Sequence, residues 1–378
     1  MNQIRTISSI ILLFPFFLHA QTLESYFQHK LDSLFNEHKD AIGVILHIEC
    51  PDNNISWTYS VGSSNKETLQ TLNEQQPILV ASNTKPYVAA SILRLVEMDK
   101  IELDQPINKY LTAETNQIFK KNGYDFNAIS VRHLTSHTSG INDYVDKAYF
   151  QFVRQNPQYN WKKEEQIKRS AEIGGPLFDA GTNFKYGDIN YLLLTEIIEQ
   201  ATGLPFYNSI KKLLKFEELK LTSTWFKNLE PYPANTLPLA HQYADKYDWD
   251  SYNLNPSWDL YGGGGIATTA KEAALFFQYL FEGEIIEDES ILKEMYQYVL
   301  PKEKSNYCLG INNISFPNFT AYYHGGWWGT DVAYIPETNT SVAVFTLQKS
   351  KRDEFARLSI EFMGKLQEEF KDIPADKE

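Results

Sequence analysis

The segments of this chain that are typical of β-strands lie at its two ends, and a long helical stretch separates them. Near the N-terminus, residues 41–49 are rich in Val and Ile, and residues 55–61 alternate apolar with polar side chains. Because turn residues occupy 51–54, these two runs predict a β-hairpin. Four further β-like runs lie near the C-terminus, at Tyr307–Ile311, Thr320–His324, Thr330–Ile335 and Ser341–Gln348.

Helical periodicity accounts for most of the remaining sequence. Amphipathic helices are predicted at about 22–38 and 353–370, and helical patterns with long loops fill about 86–260. This order predicts an α+β fold. One antiparallel sheet formed from both chain ends would be flanked by helices and would carry an inserted, mostly helical lobe.

The chain has 378 residues, enough for one large domain or two smaller ones. It contains no internal repeat, low-complexity linker or acidic tail. We therefore predict a single domain over 21–378. Its α/β lobe would comprise about 21–85 and 265–378, and its helical lobe about 86–264.

Residues 1–20 have the pattern of a secretory signal peptide. Arg5 precedes an apolar run at 10–18, and the segment ends in His19 and Ala20. A membrane anchor fits less well, because a bilayer requires about 20 consecutive apolar residues. No cysteine follows Ala20 to accept a lipid. We predict cleavage after Ala20, export to the periplasm or the medium, and no stable membrane anchor afterwards.

Charge and cysteine content limit the possible partners and cross-links. The formal net charge is −13, which argues against binding to nucleic acid or to an anionic membrane. Cys50 and Cys308 are the only cysteines. They could pair in an exported protein, but two buried thiols are favoured over a disulfide.

Ser82 and Lys85 are the first candidate catalytic residues. Ser82 follows an apolar run at 77–81 and precedes a helical pattern that starts near Val88, so it lies where extended chain becomes helix. Helical residues three apart share a face, which would place Lys85 one turn above the Ser82 hydroxyl. The same spacing occurs at 63–66 and 209–212, and the alternative role for Ser82 is a helix N-cap.

Two later segments complete a possible catalytic constellation. Tyr186 follows Lys185 in a loop before an apolar helix, and an ammonium group near a tyrosine favours the phenolate, which makes Tyr186 a candidate general base. The segment His324-Gly325-Gly326-Trp327 lies between two β-like runs. Its glycines would let a strand edge approach a substrate, and the N–H of Trp327 could form an oxyanion hole with that of Ser82.

These motifs occur in a diagnostic order: Ser-x-x-Lys, then Tyr-x-Asp about a hundred residues later, then His-Gly-Gly near the C-terminus. The chain thereby resembles the serine β-lactamase and penicillin-binding-protein superfamily, in particular its class C-like branch with D-alanyl carboxypeptidases, D-aminopeptidases and esterases. Val131–Gly140 and Gly262–Thr269 resemble two further stretches of that branch. The resemblance covers about 40–365.

The resemblance implies a role for each matching residue. Ser82 would attack a carbonyl, Lys85 and Tyr186 would exchange its proton, and the N–H groups of Ser82 and Trp327 would hold the oxyanion. The resemblance also implies a β-lactamase/transpeptidase-like fold and a reaction that needs no metal or organic cofactor.

Two residues depart from the pattern of the branch. Asp188 stands where many members have Asn, which holds the substrate amide, and His324 stands where β-lactamases usually have Lys, which helps to bind a carboxylate. Aspartate would add negative charge beside Lys85, and a largely neutral His324 would attract a carboxylate less. Efficient β-lactam hydrolysis is therefore not expected.

Several other residues admit two interpretations. His133 and His137 could ligate a metal, but a structural role is favoured because no Glu follows His133 as in the metalloprotease motif. The glycines at 262–265 lack a phosphate-binding signature and predict a tight turn beside the cleft, followed by a capping box at Thr269 and Glu272. The last set is aromatic: Trp258 is predicted in the core, while Trp327 and Trp328 could line a cleft or pack internally.

The sequence thus predicts an exported serine hydrolase that acts on a small ester, or on a peptide or amide containing a D-amino acid. A β-lactamase or a cell-wall D,D-carboxypeptidase acting on peptidoglycan-derived substrates is the first alternative. The second is a catalytically inactive module that binds peptidoglycan fragments or a partner protein. The natural substrate, the choice between hydrolysis and acyl transfer, and the oligomeric state are left open.

Overall fold

The computed structural model describes residues 8–370, with side chains for residues 22–369. The predicted signal peptide at 1–20 falls outside the residues whose side chains are described. Helix α1 spans Ser8–Glu37, so it begins earlier than the predicted start at residue 22. No Gly or Pro occurs at 18–24 to end a helix between the two segments. Within residues 8–370, no helix is both long enough and apolar enough to cross a membrane.

The described residues form eleven strands and eleven α-helices. The strands are β1 (Gly43–Cys50), β2 (Ile55–Gly62), β3 (Ile78–Leu79), β4 (Trp225–Phe226), β5 (Tyr243–Ala244), β6 (Trp249–Asp250), β7 (Ile266–Thr268), β8 (Asn312–Ser315), β9 (Thr320–Gly326), β10 (Thr330–Ile335) and β11 (Thr340–Thr346). The helices after α1 are α2 (Lys85–Glu97), α3 (Ala113–Lys121), α4 (Val131–Thr135), α5 (Lys147–Gln155), α6 (Lys163–Ile173), α7 (Ile189–Thr202), α8 (Phe206–Leu213), α9 (Ala270–Phe281), α10 (Glu289–Glu294) and α11 (Arg352–Phe370).

Both ends of the chain contribute to one antiparallel sheet of six strands. Its order is β2-β1-β11-β10-β9-β8. β1 and β2 form the predicted hairpin, and β1 pairs on its other side with β11, where Ile45 lies opposite Phe345. The predicted α+β class is therefore confirmed.

Helices cover both faces of this sheet. α1 and α11 pack on one face, where Phe27 and Phe362 are fully buried and their ring centroids lie 4.7 Å apart. α9 packs on the other face, and Ser341 Oγ on β11 donates to Ala274 O on α9. Because both faces are covered, β1 and β11 carry nearly continuous apolar runs. Burial of each phenylalanine contributes about 1.5–3 kcal/mol.

One strand prediction is wrong. Tyr307–Ile311 was predicted as β-like, but the strand in this region is β8, which begins at Asn312. Tyr307 forms only an isolated bridge to Asn312, and the chain reverses between them, because Gly310 has φ +80° and Cys308 N donates to Ile311 O. Glycine adopts this left-handed conformation without steric cost, so it favours a turn over an extended strand.

A second, small sheet places the Ser82 segment against the large sheet, where Thr330 Oγ1 on β10 donates to Val80 O. The small sheet has the order β3-β7-β4. Val80 N donates to Ile266 O at 2.9 Å, which ties the residue after β3 to β7. The helices α2–α8 all lie within the predicted helical segment at 86–264, apart from the first residue of α2. The division into two lobes at about residues 85 and 265 remains our proposal.

The two cysteines are buried and unpaired. Cys50 Sγ lies near Thr338 O, and Cys308 Sγ lies near Tyr296 O. Burial raises the pKa of the Cys308 thiol to about 12, so this thiol stays protonated at neutral pH. The favoured prediction of two buried thiols is confirmed.

Candidate active site

Ser82 and Lys85 lie where a short 3₁₀ helix, Ala81–Thr84, leads into α2. Ser82 is half-buried, whereas the Lys85 side chain is fully buried. Lys85 Nζ donates a hydrogen bond to Ser82 Oγ at 3.0 Å. The structure therefore brings together the hydroxyl and the amine that the spacing predicted on one face.

The other two Ser-x-x-Lys segments show no such contact among the described residues. Ser209 Oγ donates to Pro205 O at 3.2 Å, near the start of α8. Lys66 Nζ lies 4.5 Å from the centroid of the Tyr243 ring. Both residues therefore have structural partners, and only Ser82 has an amine positioned to activate its hydroxyl.

The backbone directly before Ser82 is strained. Ala81 has φ +46°, a left-handed conformation that costs a residue with a Cβ atom about 1–2 kcal/mol. Val80 O accepts hydrogen bonds from Asn83 N at 3.0 Å and from Thr330 Oγ1 at 3.0 Å, which fixes this turn. Strain of this kind concentrates at functional sites, and here it fixes the turn that presents the Ser82 side chain.

Lys85 has three hydrogen-bond acceptors around its ammonium group. Besides Ser82 Oγ, Nζ donates to Asp188 Oδ1 at 2.5 Å and to Gly263 O at 2.6 Å. Burial disfavours the charged form, but the negative charge of Asp188, which accepts a hydrogen bond from Nζ, outweighs it, so the pKa of Lys85 lies above its usual range. Lys85 is therefore an ammonium ion in the free protein.

Tyr186 lies beside Lys85, but its predicted ionisation is wrong. Lys85 Nζ is 4.9 Å from the ring centroid, and both Lys85 and Ser82 lie close enough to the phenol hydroxyl to lower its pKa. Tyr186 as a whole is 37% exposed, whereas burial is the largest influence on the pKa of its hydroxyl. Burial raises the pKa of Tyr186 to about 12, and the opposing effect of Lys85 is smaller. Tyr186 is therefore a neutral phenol that can donate a proton.

If Tyr186 passes protons during turnover, removing its hydroxyl should slow the reaction without disturbing the fold. We expect Tyr186→Phe to lower kcat about 100-fold, as for other general acid–base groups. KM should change little, and thermal unfolding should be unchanged because the ring contacts remain. A kcat within about twofold of the wild-type value would exclude this role.

His324 is enclosed by the protein and uncharged. Its Nε2 lies 3.2 Å from Tyr307 Oη, and its Nδ1 lies 3.0 Å from Gly325 O. Burial, reinforced by the Lys85 charge, lowers the pKa of His324 to about 3. At neutral pH the side chain therefore supplies no positive charge to attract a substrate carboxylate.

His137 is a neighbour of the site that sequence reasoning assigned only a structural role. Its ring is fully buried, and its centroid lies 4.2 Å from that of Tyr186 and 4.8 Å from that of Tyr307. Asn190 Nδ2 donates to His137 Nδ1 at 3.1 Å. His137 thus supports the back of the Tyr186 ring. His133 acts elsewhere, in the capping box at the start of α4.

Three carboxyl groups surround Lys85, of which the sequence indicated only Asp188. Burial and the Asp188 charge raise the pKa of Asp143 to about 7 and raise that of Asp259 well above its usual range. Asp143 Oδ1 accepts a hydrogen bond from Ile189 N at 3.1 Å. Of the three, Asp188 is the one whose carboxylate contacts Lys85 directly.

The glycines at 262–265 form the predicted tight turn beside these carboxyl groups. A Cβ atom at Gly263 would lie 2.9 Å from Asp188 Cβ, and one at Gly264 would overlap the Asp259 carboxylate. Only half of the capping box after this turn is present. Thr269 Oγ1 accepts from Glu272 N, but the Glu272 carboxylate binds Ser223 N and Thr224 Oγ1 instead of returning to Thr269.

The turn between β9 and β10 lies against the Ser82 segment. A Cβ atom at Gly326 would overlap Val80 O, and one at Gly325 would overlap the Arg352 guanidinium, so both positions require glycine. Gly329 N donates to Gly326 O, and Lys349 Nζ donates to Trp327 O at 2.9 Å. Among the described residues, no hydrogen bond occupies the Trp327 N–H, which leaves it free to bind an oxyanion.

The tryptophans beside this turn differ in burial. Trp258 and Trp328 are buried, which confirms the core position predicted for Trp258 and settles that of Trp328. Trp327 is half-buried, and its ring centroid lies 6.1 Å from that of Phe150 on α5 and 5.7 Å from that of Tyr247. These rings form an aromatic wall at the end of the β9–β10 turn.

The model of the Beta-lactamase family matches residues 31–361, most of the chain. The chain belongs to the Beta-lactamase family. The match includes the Ser82–Lys85 pair, Tyr186 and the β9–β10 turn, and it agrees with the resemblance on which the sequence prediction rested.

Individual members of the Beta-lactamase family are distant from this chain in sequence. A penicillin-binding protein of Bacillus subtilis (strain 168) is 21% identical over 280 residues, which cover 71% of this chain and 58% of that protein. Esterase EstB of Burkholderia gladioli is 25% identical over 214 residues, which cover 53% of this chain and 52% of that protein. The chain thus spans little more than half the length of these curated relatives.

Solved structures of the same fold align over nearly the whole chain. A D-amino acid amidase from Ochrobactrum anthropi SV3, complexed with L-phenylalanine amide, superposes with a TM-score of 0.74 and 20% identity, covering 91% of this chain and 99% of that one. At this identity the likeness establishes the fold. The predicted β-lactamase/transpeptidase-like fold is therefore confirmed.

Proposed function

We propose that this protein is a serine hydrolase that forms an acyl-enzyme at Ser82. The observation that carries the proposal is the 3.0 Å hydrogen bond from Lys85 Nζ to Ser82 Oγ. Tyr186 lies beside Lys85, and the β9–β10 turn that contains the Trp327 N–H lies against Val80, just before the Ser82 turn. A nucleophile, a proton-transfer partner and an oxyanion donor are the groups that acyl transfer requires.

The proposed reaction proceeds through two acyl transfers. Ser82 Oγ attacks the carbonyl carbon while its proton leaves towards Lys85, and the resulting oxyanion is held by the N–H groups of Ser82 and Trp327. The bond to the leaving group then breaks, and the leaving group receives a proton from Lys85 and Tyr186. Water attacks the ester on Ser82 and releases the acid. All of these steps use groups of the chain itself.

As substrates we propose esters, or amides and peptides that contain a D-amino acid. His324, which stands where β-lactamases usually have Lys, is neutral and itself supplies no charge to the carboxylate of a β-lactam. The relatives include an esterase and the structural neighbours include a D-amino acid amidase, which supports these two classes. A β-lactamase or cell-wall D,D-carboxypeptidase stays the alternative, since another relative is a penicillin-binding protein.

A substrate panel distinguishes these activities. We expect p-nitrophenyl butyrate or D-phenylalanine amide to be hydrolysed with a kcat/KM at least about tenfold above that for a chromogenic cephalosporin, a difference of about 1.4 kcal/mol in transition-state binding. Ser82→Ala serves as the control for background hydrolysis. Fast turnover of the cephalosporin with no hydrolysis of the other two would establish the alternative.

We further propose that the protein is exported by means of residues 1–20 and acts in the periplasm or the medium. Arg5, the apolar run at 10–18 and Ala20 support this proposal. A periplasmic or secreted hydrolase would have access to peptidoglycan-derived peptides as well as to small esters.

A further inference from the structure

The Lys85–Asp188 ion pair raises a question about the first step of the reaction. Ser82 must lose a proton when it attacks. Lys85 is already an ammonium ion, because its pKa lies above its usual range. Tyr186 is a neutral phenol, with a pKa of about 12. Neither residue can therefore serve as the final acceptor of the proton.

His324 does not offer an alternative acceptor. Both of its ring nitrogens are within hydrogen-bond distance of other groups, Nε2 of Tyr307 Oη and Nδ1 of Gly325 O. Asp188, by contrast, is linked to Ser82 through a single group, Lys85. Its Oδ1 is 2.5 Å from Lys85 Nζ, and the same Nζ is 3.0 Å from Ser82 Oγ.

We propose that Asp188 is the proton acceptor for acylation and acts through Lys85. A proton on Lys85 Nζ first moves to Asp188 Oδ1, which leaves Lys85 as a free amine. As Ser82 Oγ forms its bond to the carbonyl carbon, the Oγ–H proton moves to the lone pair of Nζ. Lys85 is then an ammonium group again, and Asp188 is a carboxylic acid. The proton returns from Asp188 through Lys85 to the leaving group. This inference rests on the proposed function and assigns Asp188 as a positioning residue for proton transfer.

Burial of Lys85 assists this transfer, while the charge of Asp188 opposes it. Transfer of a proton from Lys85 to Asp188 converts an ion pair into two neutral groups, which a buried site tolerates better than water does. Lys85 is fully buried, and the carboxylate of Asp188 is 16% exposed. Asparagine, common at this position in the resembling branch, could not accept the proton.

The charged and titratable groups that face Asp188 come from several elements. Lys85 lies on α2. Tyr186 lies in the same loop as Asp188, before α7. Asp143 precedes α5, and Asp259 precedes the glycine turn. Tyr144, fully buried, is the fifth, and its hydroxyl has no hydrogen-bond partner. None of these groups other than Lys85 bridges Asp188 to Ser82.

The test is the Asp188→Asn variant, assayed with p-nitrophenyl butyrate across pH 6–10. We expect kcat to fall about 100-fold at pH 7, as for loss of a general base, with KM nearly unchanged. We also expect the remaining kcat to rise with pH to a plateau, because only the free amine of Lys85 could then accept the proton, and loss of the Asp188 charge lets burial lower the pKa of Lys85. The wild-type profile should be flat from pH 7 to 9.

Two further variants make the result specific. Asp188→Glu keeps a carboxylate and should retain a kcat at least about tenfold above that of Asp188→Asn. Asp143→Asn removes a carboxyl group from the same cluster but not from Lys85, and its loss of kcat should stay below about tenfold.

The outcomes separate this inference from the proposed function. An Asp188→Asn variant that folds and matches or exceeds the wild-type kcat, with the same pH profile, would overturn the role of Asp188. If that variant does not fold, an Asp188→Glu variant that folds but is no more active than Ser82→Ala would overturn it. A wild-type protein that neither turns over these substrates nor reacts with a fluorophosphonate at Ser82 would instead overturn the proposed function.

Discussion

Replacing Ser82 with alanine should lower kcat by about 10⁴-fold or more, because acyl-enzyme formation has no other nucleophile. The fold should be retained. Ser82 Oγ is only one of three acceptors for Lys85 Nζ, and the other two, Asp188 Oδ1 and Gly263 O, remain in the variant. Kinetics with the best substrate of the panel, together with thermal unfolding, measure the two effects separately.

A folded Ser82→Ala protein with a kcat within about tenfold of the wild type would show that the hydrolysis does not pass through Ser82. Ser209→Ala is a matched control, since Ser209 also lies three residues before a lysine, near the start of a helix, but donates to Pro205 O. That variant should retain the wild-type kcat.

Replacing Lys85 with methionine should both inactivate and destabilise the protein. Methionine fills a similar volume but leaves Asp188, Asp143 and Asp259 without their cation. Removing one partner of a buried ion pair typically costs about 3–5 kcal/mol. We expect a loss of that size in the free energy of unfolding at pH 8, and a kcat as low as that of Ser82→Ala.

The loss of stability in Lys85→Met should change with pH in a predictable direction. A carboxyl group whose folded pKa is raised releases its proton more readily in the unfolded chain, so it destabilises the fold increasingly as pH rises above about 4, its unfolded pKa. Asp143, with a pKa raised to about 7, and Asp259 behave in this way. Lys85 lowers the pKa of both groups, so its removal raises both pKa values further, and the loss in Lys85→Met should shrink between pH 8 and pH 5. Denaturant unfolding at both pH values checks this, and an equal loss at both would contradict it.

Much of the fold could be predicted from the order of periodic segments. The hairpin at 41–61 and the β-like runs after residue 320 became strands of one sheet because their apolar residues are buried between α1 or α11 and α9. The strand predicted at Tyr307–Ile311 failed because Gly310 adopts a positive φ, which an apolar run does not reveal. Local composition thus identified most of the strands but not the turn at Gly310.

The catalytic candidates were predictable because their motifs are local and ordered along the chain. Ser82 and Lys85 meet by helical spacing alone. Asp143 and Asp259 could not be predicted, since they reach Lys85 only through tertiary packing of distant loops. The glycines beside Asp259 were the one available signal, because tight turns of this kind often allow close approach.

The ionisation state of Tyr186 could not be predicted from the sequence. A nearby ammonium lowers a phenol pKa, and the sequence indicated that ammonium correctly. Burial of the hydroxyl acts in the opposite direction and is larger, so the pKa rises to about 12. Burial depends on the whole fold, and the sign of the shift follows from the larger of the two effects.

The most direct test of the account is covalent labelling. The mature protein is treated with a fluorophosphonate at pH 7, its intact mass is measured and the modified peptide is mapped, with Ser82→Ala treated in parallel. We predict a single adduct on Ser82 and none on the variant. A folded wild-type protein that stays unlabelled, or that carries its adduct on another residue, would contradict the assignment of Ser82 as an activated nucleophile and would favour a binding module.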